Sequence, residues 1–236
     1  MSTLTTLLGR ATYEALTLLA RHPALALPLA RRRGFGVPVD EDTEIVIEGF
    51  PRSGTSFAVA AFLRAQGRPV RVSHHVHAPA NLIEAVRLRV PAILVVRHPQ
   101  GAVVDWCVSK SALTLPQGLR GWIRFHDPVL PISPRIVVAT DEQVRTRFDE
   151  VVREVNLRFG TEFAEPKVTP EDVRAAEEEA QGDYGRRAGR GPRWLGGPSD
   201  DPTWDRMALL RQYRSEELIS LRRWAERLFE FLTTRG

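Results

Sequence analysis

The chain has 236 residues, 43% of them hydrophobic, a size and composition that fit one α/β domain with its own core. Its 33 cations are nearly balanced by 29 acids, and a formal net charge of +4 suits an anionic ligand without calling for nucleic acid as a partner. The single cysteine, Cys107, leaves no disulfide framework and no Cys-based metal site; no apolar run reaches the roughly 18 residues of a membrane span, and the N-terminus lacks the pattern of a signal peptide, so the sequence reads as cytoplasmic.

Residues 1–40 read as an N-terminal helical segment. Leu4, Leu7, Leu8, Ala11, Ala15, Leu18 and Leu19 recur at helical spacing until His22-Pro23 ends the pattern. This stripe is expected to pack on the domain, with weak peripheral membrane contact through the same helix as the alternative, in which Arg31, Arg32 and Arg33 would touch anionic lipid. From residue 44 short apolar runs alternate with helical patterns, as in βαβ units. A strand is expected over Glu44 to Glu48, a helix over Thr55 to Gln66 capped by Gly67, a strand over Pro69 to Ser73, a helix over Asn81 to Leu88, a strand over Ala92 to Val96 and a helix over Ala102 to Leu113. Pro116 to Pro134 reads as irregular or partly helical, and Arg135 to Ala139 as a strand. Thr140 and Gln143 form a capping-box pair ahead of the stripe Val144, Phe148, Val151, Val152, Val155 and Phe159, which Gly160 ends. Residues 181–203, dense in Gly, Arg and Pro, read as a lid loop, and 204–236 as one or two closing helices.

The stretch IVIEGFPRSGTSFAVAAF, residues 45–62, runs an apolar strand into a glycine-bearing turn and then a helix. A turn of this kind presents backbone N–H groups and the positive end of a helix dipole to an anion. It departs from the nucleoside-triphosphatase loop in one place, since Thr55 stands where lysine is required, and Arg52 is the only cation inside it. The next strong strand, AILVV, ends in Arg97-His98-Pro99, whereas a triphosphatase needs a magnesium-binding carboxylate there.

These two pieces resemble the sulfotransferases that use 3′-phosphoadenosine 5′-phosphosulfate (PAPS). Their loop has the form P-[KR]-S-G-T-[TS]-[WF], here Pro51-Arg52-Ser53-Gly54-Thr55-Ser56-Phe57, and a later strand ends in R-x-P. The resemblance implies a three-layer αβα fold with a central parallel sheet, and transfer of a sulfuryl group to a hydroxyl or amine of a small-molecule or glycan acceptor, with no metal. It implies that Arg52 and the amides of Ser53, Gly54, Thr55 and Ser56 hold the 5′-phosphosulfate, that Phe57 faces the adenine or else is core, and that Arg97 pairs with the 3′-phosphate. The family usually has a serine eight residues after that arginine; here the residue is Asp105, which either pairs with an arginine or leaves Ser109, a helical turn on, to substitute. Arg186, Arg187 and Arg190 match the family's late basic, glycine-containing segment in composition and position.

Three of the six histidines lie in Ser73-His74-His75-Val76-His77-Ala78-Pro79, at the end of the expected second strand. A base is useful when an acceptor hydroxyl must lose its proton, and sulfotransferases carry a histidine in this region. His75 is the first choice by its distance from Arg97, His77 the second by its local H-x-P pattern, and Glu48 an alternative base. The cluster can also be read as structural, or as metal ligands lacking an acid or cysteine to complete the set. Two rival functions remain: a P-loop nucleotide kinase or other phosphotransferase, and a non-catalytic nucleotide-binding member of the same fold.

Overall fold

Four short runs rich in β-branched residues form the strands β1 (Ile45–Gly49), β2 (Val72–His74), β3 (Ala92–Val96) and β4 (Val137–Thr140) of a computed structural model, which describes residues 3–34, 36–110, 112–167, 169–188 and 202–234. All pair in parallel in the order β2-β1-β3-β4. β1 and β3 are central and buried along their whole length, so their sequences, IVIEG and AILVV, lack the polar alternation of a half-exposed strand.

Helices connect and cover them: α1 (Thr3–Leu19), α2 (Pro23–Arg33), α3 (Thr55–Ala65), α4 (Pro79–Leu88), α5 (Pro99–Ser109), α6 (Leu115–His126), α7 (Asp141–Thr146), α8 (Phe148–Phe159), α9 (Pro170–Ala188), α10 (Pro202–Tyr213) and α11 (Ile219–Thr234). Successive strand side chains point to opposite faces and divide the core in two. Val46, Leu94 and Val96 join Leu82, Leu119, Trp122 and Leu228 on one face, while Ile45, Ile47, Ile93 and Val95 join Phe57, Phe62, Phe148 and Val152 on the other. The result is an α/β architecture with a parallel sheet between two helical layers. No described helix is long and apolar enough to cross a membrane.

Several expectations shift. The second strand begins at Val72 rather than Pro69, and at Arg71 the backbone N–H goes to the Glu44 carboxylate instead of a ladder partner. The α3 helix ends at an extended Gln66, so Gly67 is not a left-handed cap. Residues 115–126, at the start of the segment expected to be irregular or partly helical, form a full helix; Pro116 sits in its first turn and Thr114 and Gln117 make a capping box. The helix expected across 140–159 is two helices, broken at Arg147 (φ −149°, ψ 40°), while Gly160 ends the second in the left-handed conformation (φ 67°) as its position suggested. Helix α9 runs on through residues 181–188, where a loop was expected; the remainder of the expected lid, up to residue 201, lies outside the described residues.

The largest correction concerns α1. Its leucine stripe faces outward, with Leu7 56%, Leu8 61%, Leu18 54% and Leu19 43% exposed. The polar residues turn inward instead: Glu14 accepts from Arg120 (2.8 Å) and from Arg124, Thr17 accepts from Arg124 (2.9 Å), and Arg10 donates to the Ala112 carbonyl (2.8 Å). Burial raises the Glu14 pKa, but the hydrogen bonds of Arg120 and Arg124 outweigh it and hold the carboxyl below its ordinary value.

Candidate functional site

Because β1, β2 and β3 are parallel neighbours, the segments leaving their C-terminal ends meet above one edge of the sheet. The first is the loop from Gly49 to the start of α3. Gly54 precedes the helix at φ 91°, and a side chain there would overlap the Asp141 carboxylate, so only glycine fits. The first amides of α3 have no partner within the helix. The hydroxyls of Ser53 and Thr55 are buried without a hydrogen-bond partner, two donors that the loop leaves unspent. Arg52 is exposed on the loop in a left-handed conformation (φ 68°). Lys110, beyond the end of α5, has its pKa lowered by burial and by the charge of Arg52. Two cations that repel one another across the loop define a place where an anion is favoured.

The second segment carries the histidines. The strand stops at His74, and beyond it His75 and His77 are both left-handed (φ 59° and 53°). Of the four described non-glycine residues with positive φ, three are therefore Arg52, His75 and His77, a concentration of backbone strain typical of functional sites. The two rings still come together, 5.6 Å apart. His75 Nε2 lies 2.8 Å from Ser56 Oγ and its Nδ1 lies 2.7 Å from His74 Nδ1, so these side chains share a hydrogen-bonded chain. His77 Nδ1 donates to the Gly49 carbonyl at 2.8 Å, which fixes its tautomer and leaves the basic lone pair on Nε2.

Glu48 underlies this turn. It is fully buried, and its carboxyl accepts from the Gly49 amide (3.0 Å), the Val76 amide (2.9 Å) and Asn81 Nδ2 (3.1 Å), with His77 Nδ1 3.7 Å away. Burial pushes its pKa up to about 7 although every one of those hydrogen bonds pulls the other way. An acid thus does lie beside the histidine cluster, delivered by β1, yet its position is that of a brace between the loop and the histidine turn. Among the described residues no group of His, Cys, Asp and Glu is arranged to hold a metal ion.

The third segment brings Arg97. Its Nη1 donates to the Arg52 carbonyl (3.0 Å) and to Asp105 Oδ2 (2.8 Å), and Arg206 from α10 donates to Asp105 Oδ1 (3.0 Å). The carboxylate found in place of the family's serine is thus paired with two arginines. Asp141, at the start of α7, lies 3.7 Å from Arg97 Nε and accepts from Arg145 (3.0 Å).

Arg52, Ser53, Gly54, Thr55, Ser56, His75, His77 and Arg97 therefore share one site. Phe57 does not offer a face to a ligand: it is 4% exposed, and the Arg145 guanidinium lies 4.8 Å from its ring centroid. Ser109 is buried and donates to the Trp106 carbonyl of its own helix (2.8 Å), so it does not replace the serine missing at 105. Arg186 and Arg187 belong to the helical path of α9, and their side chains, like Arg190 altogether, lie outside what is described. Sequence reasoning missed Lys110, Asp141, Arg145 and Arg206. Asp141 was the most accessible of these, since it directly follows a strand and opens a capped helix; Arg206 lies 101 residues from its partner and leaves no local signal. No family model matches the chain, and no curated protein matches it.

Proposed function

We propose that this protein is a PAPS-dependent sulfotransferase. One observation carries the reading: a phosphate-type loop bearing arginine, a strained histidine turn and a strand-end arginine are joined by direct hydrogen bonds at the C-terminal edge of one parallel sheet. In the proposed reaction the acceptor oxygen attacks sulfur, its bond to sulfur forms as the bond from sulfur to the 5′-phosphate oxygen breaks, and the acceptor proton passes to a histidine. Arg52 and the loop donors stabilise the charge that develops on the departing phosphate. The base is assigned to His77, because the Gly49 carbonyl holds its Nδ1–H and so fixes the tautomer in which Nε2 is the basic nitrogen.

Thermal shift is the first test, since a ligand at 100 times its dissociation constant stabilises by roughly 2.7 kcal/mol. Stabilisation by 3′-phosphoadenosine 5′-phosphate in the presence of a chelator supports the proposal. Stabilisation only by ATP with magnesium would instead favour phosphoryl transfer, the reading to which Asp141, a carboxylate beside Gly54, lends weight. With labelled PAPS and an acceptor extract, Arg52→Ala is expected to lose about 10²–10³ in turnover and His77→Ala about 10²–10⁴. Ligand stabilisation without any labelled product would point to a non-catalytic nucleotide-binding protein.

A further inference from the structure

Helix α1 is amphipathic in the wrong sense for a helix that only packs on its own domain. Leu7, Leu8, Ala11, Ala15, Leu18 and Leu19 are on the exposed side, within an arc of about 120° at 100° per residue. Tyr13 and Thr17 lie away from that arc and Glu14 on its flank, and Arg120 and Arg124 bind Glu14 and Thr17 down on α6. The inward ion pairs fix the rotation of the helix, so the leucines cannot turn in without breaking them. The exposed side of α2 continues the pattern, with Leu25 (55% exposed), Pro28 and Arg32 at i, i+3 and i+7.

Charge decides what covers these leucines. Residues 1–39 contain Arg10, Arg21, Arg31, Arg32 and Arg33 but only one acid, Glu14, and that carboxylate is already held by two arginines. Arg21, Arg32 and Arg33 are exposed. A second copy meeting the face through a two-fold axis would set arginine against arginine with no acid from this segment between them. A bilayer with anionic headgroups satisfies both features at once: apolar side chains enter the acyl boundary while arginines meet lipid phosphates. We propose that α1 and α2 form a peripheral docking surface for anionic lipid bilayers, lying in the plane of the interface.

The test is co-sedimentation of the full chain with vesicles of phosphatidylcholine alone and of phosphatidylcholine mixed with phosphatidylglycerol. Binding to the mixed vesicles, weakened by salt and much lower on the neutral ones, is expected. Leu8→Ser combined with Leu18→Ser should weaken that binding at least about ten-fold while leaving the thermal melt in place, because these side chains are solvent-exposed. Arg32→Gln combined with Arg33→Gln should cost about five-fold per arginine on the mixed vesicles only, and keeps the proposal testable if the leucine variant folds poorly. Equal binding to both vesicle types, or none, overturns the proposal. So does a dimer in light scattering that the leucine substitutions convert to monomer, which would make a second copy the cover.

Discussion

Glu48 and His126 are both sealed from water, one two residues before Phe50 in the chain and the other packed 6.4 Å from its ring, yet their surroundings treat them in opposite ways. The Glu48 carboxyl is surrounded by donors that tie β1, the histidine turn and α4 together. His126 is stacked on Trp122 (3.8 Å, 28°) and flanked by Phe125, donates one bond to the Trp122 carbonyl, and leaves Nε2 without a partner. The first is a polar strut whose hydrogen bonds hold strained backbone; the second is an aromatic plate whose polarity is tolerated. Burial pushes Glu48 up to about 7 and pulls His126 down to about 3, so each is driven toward its neutral form.

The plate should matter most through packing. Trp122→Ala removes the stacking partner from a fully buried site and is expected to cost about 3–5 kcal/mol in urea denaturation. For Glu48 the effect depends on pH. The folded chain keeps its proton up to about pH 7, whereas the unfolded chain loses it near about pH 4.3. Stability from this group is therefore full below the unfolded value and falls by roughly 4 kcal/mol as pH rises through the folded one. In Glu48→Gln that decline should vanish; a variant whose stability still tracked the parent across this range would show that Glu48 does not titrate as described.

His126 has the reverse sign. Its folded pKa of about 3 lies below the unfolded value of about 6.5, so stability is intact above the unfolded value and is lost as pH falls toward the folded one. His126→Phe keeps the stack and should gain about 2 kcal/mol relative to the parent at pH 5, read from denaturation midpoints. Between the two unfolded values the two slopes oppose each other, so the parent should look almost insensitive to pH there and each variant should expose the other's slope. The smallest effect belongs to the ion pairs of the site. Asp105→Ser should change stability by less than about 1 kcal/mol, because Arg97 and Arg206 remain partly exposed. Under the proposed function the same change frees Arg97 and tightens binding of 3′-phosphoadenosine 5′-phosphate by about ten-fold, measurable by titration calorimetry.

What the sequence made legible followed from local rules. AILVV is apolar on both faces, and its strand falls where expected, Ala92–Val96; the Thr140–Gln143 box and Gly160 mark helix ends through their own chemistry. The loop from Gly49 to Ser56 was legible for the same reason. What was not legible depended on distant partners. Periodicity identified the leucine face of α1 but not its direction, which is set by Arg120 and Arg124 more than 100 residues away. Nor did anything local mark the break at Arg147: neither proline nor glycine stands there, and the apolar stripe stays in step from Val144 to Phe148 across it. The histidines fell at the expected strand end, but their left-handed backbone, braced by Glu48, left no local signal.

The outer side of β2 carries a last consequence. Val37 and His74 exchange both backbone hydrogen bonds in an antiparallel bridge (2.8 and 3.0 Å), and the Ser73 hydroxyl also donates to the Val37 carbonyl (2.7 Å). A three-residue strand clasped in this way offers a passing chain no row of vacant amides on which to template. At this margin the protein is guarded against fibril-like growth, and the guard is the same short crosspiece that ends the strand just before His75.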